Sequence, residues 1–276
     1  MDELTGAAPA KLNVSLRVGP VRPDGYHPLA GVMVTLDGLE DVVTIRRSDR
    51  RAVDSPVARD EANLAWKALD ALEQTVGEPL PPLHVEIAKR IPAEAGLGGG
   101  SSDAAATLRL ANRLLGLGLD ATGLETTAAR VGSDVPFLIR GGTQWVTGRG
   151  DHLAPMAPVE GLWALVTTPV RGLSTPAVYR EFDALGAANP IPVAPPDRSW
   201  RDGDWVRNDL WPAAARLAPE LSARAAALDA LRPVRVLLCG SGGSLAALFD
   251  DPDRCRAAAN GLGDGWCCRP GEAIPI

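Results

Sequence analysis

Between Gly96 and Ser102 the chain reads Gly-Leu-Gly-Gly-Gly-Ser-Ser, and an apolar helical pattern follows at once. Ala104, Leu108, Ala111 and Leu115 recur at helical spacing. No other segment constrains the fold as tightly. A loop with so few side chains lets backbone N–H groups close on an anion, and the helix N-terminus adds partial positive charge. Leu83 to Ala88 reads as a strand leading into the loop. Ser101 and Ser102 are placed to cap the helix or to reach a phosphate oxygen or its Mg2+.

Two familiar glycine motifs do not fit. No Lys follows these glycines, as a Walker A loop requires, and Ser101 occupies the last glycine position of G-x-G-x-x-G. A protein-kinase glycine loop would lie between strands rather than before a helix. A flexible linker would not run straight into an apolar helix, and an ordinary turn rarely needs four glycines. A phosphate loop for a nucleotide is the reading that remains.

Composition narrows the partners. The chain has 276 residues, 46% apolar and 22% charged, with a net charge of −6. That length suits one large or two modest domains. The acidic balance disfavours a nucleic-acid or anionic-membrane binder, whose affinity rests on clustered Lys and Arg. No segment approaches the roughly 18 apolar residues of a membrane span. Met1 to Lys11 lacks the basic start and apolar core of a signal peptide, so a cytoplasmic location is expected. Cys239, Cys255, Cys267 and Cys268 form no C-x-x-C, and only His27, His84 and His152 offer imidazoles. A zinc site is therefore not expected, and the thiols are expected to be reduced.

Strands are expected at Ala10–Val18, Val32–Leu36, Val42–Arg46, Leu83–Ala88, Gln144–Thr147, Leu162–Thr167, Val234–Leu238, Leu245–Phe249 and Trp266–Arg269. Helices are expected at Asn63–Val76, from Ala104 to Leu115, and at Leu119–Val131, Pro176–Leu185 and Asp253–Leu262, with two more in Trp205–Leu231 broken near Pro219. Gly186 to Asp204, rich in Pro, Asp and Gly, reads as a long loop. Mixed elements without regular βαβ alternation argue an α+β fold. A boundary near 150–160 divides the chain into 1–155 and 156–276, with the active cleft expected between them.

Four further segments carry candidate chemistry. Ala8-Pro-Ala-Lys-Leu-Asn13 places Lys11 and Asn13 on the polar side of an alternating strand, either a solvated face or a functional one. Arg22-Pro-Asp-Gly-Tyr-His27 is a turn signal followed by an aromatic pair. In Val131-Gly-Ser-Asp-Val-Pro-Phe137, Asp134 either caps a short helix or serves as a base. Cys239-Gly-Ser-Gly-Gly-Ser244 is a second glycine loop after a strand, which alone is equally well a tight turn.

Pro92, Ala93, Glu94, Ala95, Gly96, Leu97, Gly98, Gly99, Gly100, Ser101 and Ser102 together resemble the phosphate loop of the GHMP small-molecule kinases. Glu94 departs from the small residue usual there, and its carboxylate must point away from a triphosphate. The resemblance runs in order from Ala8 to about Phe249. It implies a two-domain α+β fold, the N-terminal half like the second domain of ribosomal protein S5 and the C-terminal half ferredoxin-like. It also implies ATP and Mg2+ as cofactors.

The motifs holding Lys11, Asn13, Tyr26, His27 and Tyr179 resemble the branch of this family that phosphorylates the 2-hydroxyl of a cytidine diphosphate-linked methylerythritol. There the matching Lys and Asn face the reacting hydroxyl, and the three ring residues lie against the cytidine. The matching Asp contacts the reacting hydroxyl, which gives Asp134 and Lys11 the catalytic roles. Asn208-Asp-Leu210 resembles an N-D-L-E run of that branch, with Trp211 in place of the acid. Metal ligands stay unassigned, and a monomer or weak homodimer is expected. The alternatives are a homoserine, sugar or mevalonate kinase of the same family, a non-catalytic nucleotide-binding relative, and an RNA-binding protein on the ribosomal-protein-like fold.

Overall fold

A computed structural model describes residues 2–276. Its first strand, β1, spans Glu3–Asn13 and so starts well ahead of the expected Ala10. β2 adds only Arg17–Val18 after a break. β3, Leu29–Arg47, is one strand of 19 residues where the sequence suggests two. Gly38 falls between the two expected strands, yet it lies inside β3. A Cβ on it would sit 3.2 Å from the carbonyl oxygen of Cys267, so the missing side chain admits a neighbouring strand. β1 runs antiparallel along β3, with a register shift between Pro9 and Lys11.

The chain continues through β4 (Ala52–Asp54), a 3-10 turn at Asp60–Ala62 and α1 (Leu64–Val76). Asn63 caps α1 by accepting from the N–H of Ala65, and Gly77 closes it in the left-handed region. β5 occupies Leu83–Ala88, as its alternation predicts. The helix expected near Ala104 begins earlier, with α2 spanning Gly99–Leu115. α3 (Ala121–Ala128), α4 (Val135–Arg140), β6 (Thr143–Gly148) and β7 (His152–Pro155) complete this half. β4 and β7, at three and four residues, are too short to show a period in sequence.

The second half runs β8 (Trp163–Thr167), α5 (Thr175–Ala184), α6 (Trp211–Leu217), α7 (Glu220–Asp229), β9 (Arg235–Leu238), β10 (Leu245–Phe249), α8 (Pro252–Leu262) and β11 (Gly265–Pro270). The stretch 186–204 holds no helix or strand, as its composition predicts. The strands lie in the order β11-β8-β10-β9, all antiparallel. With helices after the first strand and before the last, this is the β-α-β-β-α-β arrangement of ferredoxin-like domains.

β11 then pairs with β3 through Arg269–Asp37 and Pro270–Leu36, so both halves belong to one sheet. One apolar cluster holds Leu12 and Val34 together with Ala164 and Leu248. A division after residue 155 falls between β7 and β8; this cluster crosses it, while a second lies wholly before it. No helix of the described residues is long and apolar enough to cross a membrane.

Where β3, β5 and α2 meet, three charges are buried together. Lys89 donates to Asp41 at 2.5 Å and to Asp103 at 2.7 Å. Asp41, fully buried, also accepts from the N–H groups of Arg90 and Ile91 and so fixes the turn that leads to the glycine loop. Burial pushes the Asp103 carboxyl up to about 7, with Lys89 opposing and Asp41 reinforcing the shift. One cation does not satisfy two buried carboxylates, and Oδ1 of Asp103 has no hydrogen-bond partner.

A carboxyl whose folded pKa exceeds its unfolded one binds more protons in the folded state. Its contribution to stability is present at low pH and is lost as pH rises from about 4 to about 7. Asp103→Asn should remove this loss. Its stability relative to wild type should rise between pH 5 and pH 8 by on the order of 1–3 kcal/mol, seen as a growing difference in melting temperature. Thermal melts of both proteins across that range test it. A constant difference would show that Asp103 does not titrate in this range.

Candidate active site

The glycine loop reaches its conformation through Gly96 and Gly98, both with positive φ, at 75° and 71°. Gly98 immediately precedes α2. A Cβ on Gly98 would stand 2.8 Å from Cγ of Lys11. A Cβ on Gly96 would stand 1.8 Å from the carbonyl oxygen of Cys239, which no backbone shift of ordinary size accommodates. The second glycine loop, Cys239 to Ser244, thus packs directly on the first, and the N–H of Ser244 donates to the carbonyl of Ala95 at 3.2 Å. The even-odds reading of that segment as a mere turn gives way to a fixed pair of loops.

Contacts from outside the two loops support this pair. Asn208 donates to the carbonyls of Leu238 at 2.9 Å and Gly240 at 2.6 Å, and its own oxygen caps the N–H of Leu210. Asp209 accepts from Arg17 and from the N–H of Val18. The Asn208-Asp-Leu210 run therefore braces the second loop. Trp211, in the place of an acid, opens α6 and packs against an apolar cluster. Ser241 and Thr175 share a hydrogen bond of 2.7 Å that ties the loop to the start of α5.

Both loops open on a cavity of about 1130 Å³. Lys11 lies in it with only 4% of its surface exposed, and Asn13 with 5%. The polar side of β1 is thus covered, and a solvated face is excluded. The Lys11 ammonium donates to Asn13 Oδ1 at 2.6 Å and stands 3.7 Å from Asp134 Oδ2. Asp134 precedes α4 but makes no capping hydrogen bond, so its carboxylate is free to face the cavity. The cap reading of Asp134 does not hold.

The loop residues divide. Pro92 to Ser101 line the cavity. Ser102 does not: it is buried, its hydroxyl donates to the carbonyl of Pro9 at 2.7 Å, and its N–H donates to Gly98. It anchors α2 to β1 and has no group left for a phosphate. Glu94 sits in the left-handed region at φ 52°, and its carboxylate lies against Gly172, which does not line the cavity.

At one end of the cavity stand Tyr26, His27, Tyr179 and Asp183. The Nδ1–H of His27 donates to the carbonyl of Gly19 at 2.8 Å, which leaves Nε2 facing Asp183 at 3.3 Å. The ring of Tyr179 lies 5.3 Å from that of His27. Burial, and to a smaller degree the charge of Asp134, hold the Tyr179 phenol above its usual range, so it remains a neutral donor. Tyr26 differs from its neighbours. It is 53% exposed, and the guanidinium of Arg149 covers one face at 4.1 Å. Asp24 holds Arg149 and Arg22 together and accepts from the N–H of Tyr26, which keeps its carboxyl below the usual range.

The other end is lined by Ser55, Val57, Ala58, Asn63, Leu64 and Lys89, which sequence patterns do not single out. Lys89 and Asp103 flank the glycine loop in sequence, a charged residue on each side, and that was the available signal. Gly99 lies against Lys89 and Gly100 against Leu64, so the start of α2 divides this end from the Lys11 end. Among the described residues no three His, Cys, Asp or Glu side chains converge as a metal cluster. Burial pushes the Cys239 thiol up to about 12, which removes it from the chemistry.

Comparison with known proteins agrees with this geometry. The family profile "GHMP kinases N terminal domain" matches residues 63–142. The 4-diphosphocytidyl-2-C-methyl-D-erythritol kinase of Corynebacterium efficiens is 38% identical over 95% of this chain and 90% of its own. That of Streptomyces coelicolor is 38% identical over 96% and 94%. A crystal structure of 4-(cytidine 5'-diphospho)-2C-methyl-D-erythritol kinase superposes with a TM-score of 0.82 at 32% identity, covering 97% of this chain and 100% of that one. Homoserine kinase from Cytophaga hutchinsonii, at 17% identity and a TM-score of 0.70, shares the fold. With identity at this level along nearly the whole length, the chain belongs to the 4-diphosphocytidyl-2-C-methyl-D-erythritol kinases, a branch of the GHMP kinases.

Proposed function

We propose that this chain transfers the γ-phosphoryl group of ATP to the 2-hydroxyl of 4-diphosphocytidyl-2-C-methyl-D-erythritol. The observation that carries the reading is one cavity with a glycine loop at its middle, Lys11, Asn13 and Asp134 on one side, and an aromatic pocket beyond them. The backbone N–H groups at the start of α2 hold the phosphates. The apolar slot at Val57, Ala58 and Leu64 takes the adenine.

The acceptor hydroxyl lies between Asp134 and Lys11. Asp134 orients it and takes its proton as the new P–O bond forms, and ADP leaves. Lys11, held by Asn13, balances charge on the transferring group. Mg2+ fits this donor set as an ion carried largely by the phosphates. Asp134 and Ser101, two of the oxygen-bearing side chains that line the cavity, would hold it, and its charge would neutralise phosphate oxygens. Tyr179 stacks on the cytosine. Its exocyclic amino group gives the two acceptors, Asp183 and His27 Nε2, a shared donor that a keto group would not provide.

Three measurements test this reading. Phosphate transfer from ATP should be fastest by far with the cytidyl substrate in a panel that also holds homoserine, galactose and mevalonate; a preference for any other member would overturn the assignment. Asp134→Asn should leave both ligand affinities broadly intact while single-turnover kcat falls by roughly 10²–10⁴. Lys11→Met should also lower kcat, and the double variant should lose less than the sum of the two, because both groups act on one transition state. Near wild-type rates for Asp134→Asn would remove its catalytic role. Tyr179→Ala should raise KM for the cytidyl substrate by about 5- to 100-fold, the span of one base–aromatic stack, with KM for ATP little changed. Equal effects on both would place the cytidine elsewhere.

A further inference from the structure

Four cysteines lie in the second half of the chain, and the strand geometry separates them. Cys267 and Cys268 are neighbours on β11, so their side chains point to opposite faces of the sheet. Cys268 joins the apolar cluster that also holds Cys239. Cys267 turns to the other face, which α8 covers, and packs against the cluster that holds Cys255. There the two sulfur atoms stand 2.7 Å apart. Unbonded heavy atoms at ordinary contact keep about 3.5–4.0 Å. Cys255 is buried, whereas Cys267 is partly open to solvent.

We infer that Cys255 and Cys267 are a built disulfide site, closed by exchange with a low-molecular-weight disulfide and opened by thiols. The balance is simple. The Cys267 thiolate attacks one sulfur of the small disulfide, forms a mixed disulfide and expels one thiolate. Cys255 then loses its proton and attacks Sγ of Cys267, which expels the second thiolate. Two protein thiols are oxidised and one small disulfide is reduced to two thiols. Burial raises the Cys255 thiol, so the second step is the slow one. The bond would fasten α8 to the strand that joins the C-terminal sheet to β3. Neither cysteine lines the cavity.

The test uses the intact wild-type protein incubated with excess oxidised glutathione, then denatured, alkylated and mapped by mass spectrometry. Free thiols should fall from four to two, with Cys239 and Cys268 still alkylated and a single linked peptide pair containing Cys255 and Cys267. Dithiothreitol should restore all four. The oxidised form should melt about 5 °C or more above the reduced one, as expected for a short closed loop. Cys255→Ser and Cys267→Ser should each abolish the internal link and this rise, and phosphate transfer should be the same in both redox forms of the wild type. Four alkylatable thiols after oxidation would overturn the assignment. So would a link between Cys267 and Cys268, a disulfide between two chains, or a mixed disulfide persisting on Cys267.

Discussion

The cleft depends on one close approach, the packing of two glycine loops that arise 140 residues apart in sequence. The carbonyl of Cys239 occupies the space that a Cβ on Gly96 would need, and the carbonyl of Glu94 occupies the same space at Gly243. Neither contact tolerates a side chain, because the obstructing atoms are backbone. The approach brings the end of β9 beside the entrance to α2. It also seats Gly240 within 3.0 Å of the Lys11 ammonium, measured from the Cβ position that the glycine leaves empty. Lys11, the phosphate loop and the second loop are therefore fixed by one set of contacts. Asn208 supports the set from behind through two carbonyls that would otherwise be unpaired.

Much of the fold was legible because it follows simple periods. β5 and β10 occupy the expected residues, and α5, α8 and β11 differ from expectation by about one residue at their ends. The failures share a cause, which is tertiary covering that local patterns do not encode. The polar side of β1 looks solvated in sequence, yet Lys11, Asn13 and Ser15 are buried because the glycine loop and the 29–33 segment of β3 lie over them. Gly38 falls between two expected strands, yet it lies within β3 and admits β11. Short strands such as β4 have too few residues for alternation to appear.

The candidate site was legible to a different extent at its two ends. The proposed reacting centre and the loop stand in compact motifs, so Lys11, Asn13, Asp134 and Gly96–Ser101, which line one cavity, could be named from sequence alone. Ser102 could not be told from Ser101, since only the path of α2 decides that one hydroxyl turns to Pro9 and the other lines the cavity. Tyr26 and Tyr179 look equivalent as aromatic residues. The structure separates them, with Tyr179 beside His27 and Tyr26 exposed under a guanidinium. The slot at Ser55–Leu64 is built from unremarkable residues and is created by the 3-10 turn before α1.

Electrostatics gives the site its asymmetry. Two lysines border the glycine loop, and each is already engaged by the protein. Lys89 holds two buried carboxylates, which leaves little of its field for a ligand. Lys11 is bound to a neutral amide and stands 3.7 Å from a single carboxylate that is itself about one-third exposed. A phosphoryl group moving near Lys11 therefore meets a cation that is only loosely neutralised and held in a low-dielectric wall, where its charge acts strongly. The same group near Lys89 meets an assembly that is neutral or negative according to the proton on Asp103. The loop thus has one end suited to developing negative charge and one suited to a neutral base. In the proposed reaction this polarity puts the transferring phosphoryl at the Lys11 end and the adenine at the other.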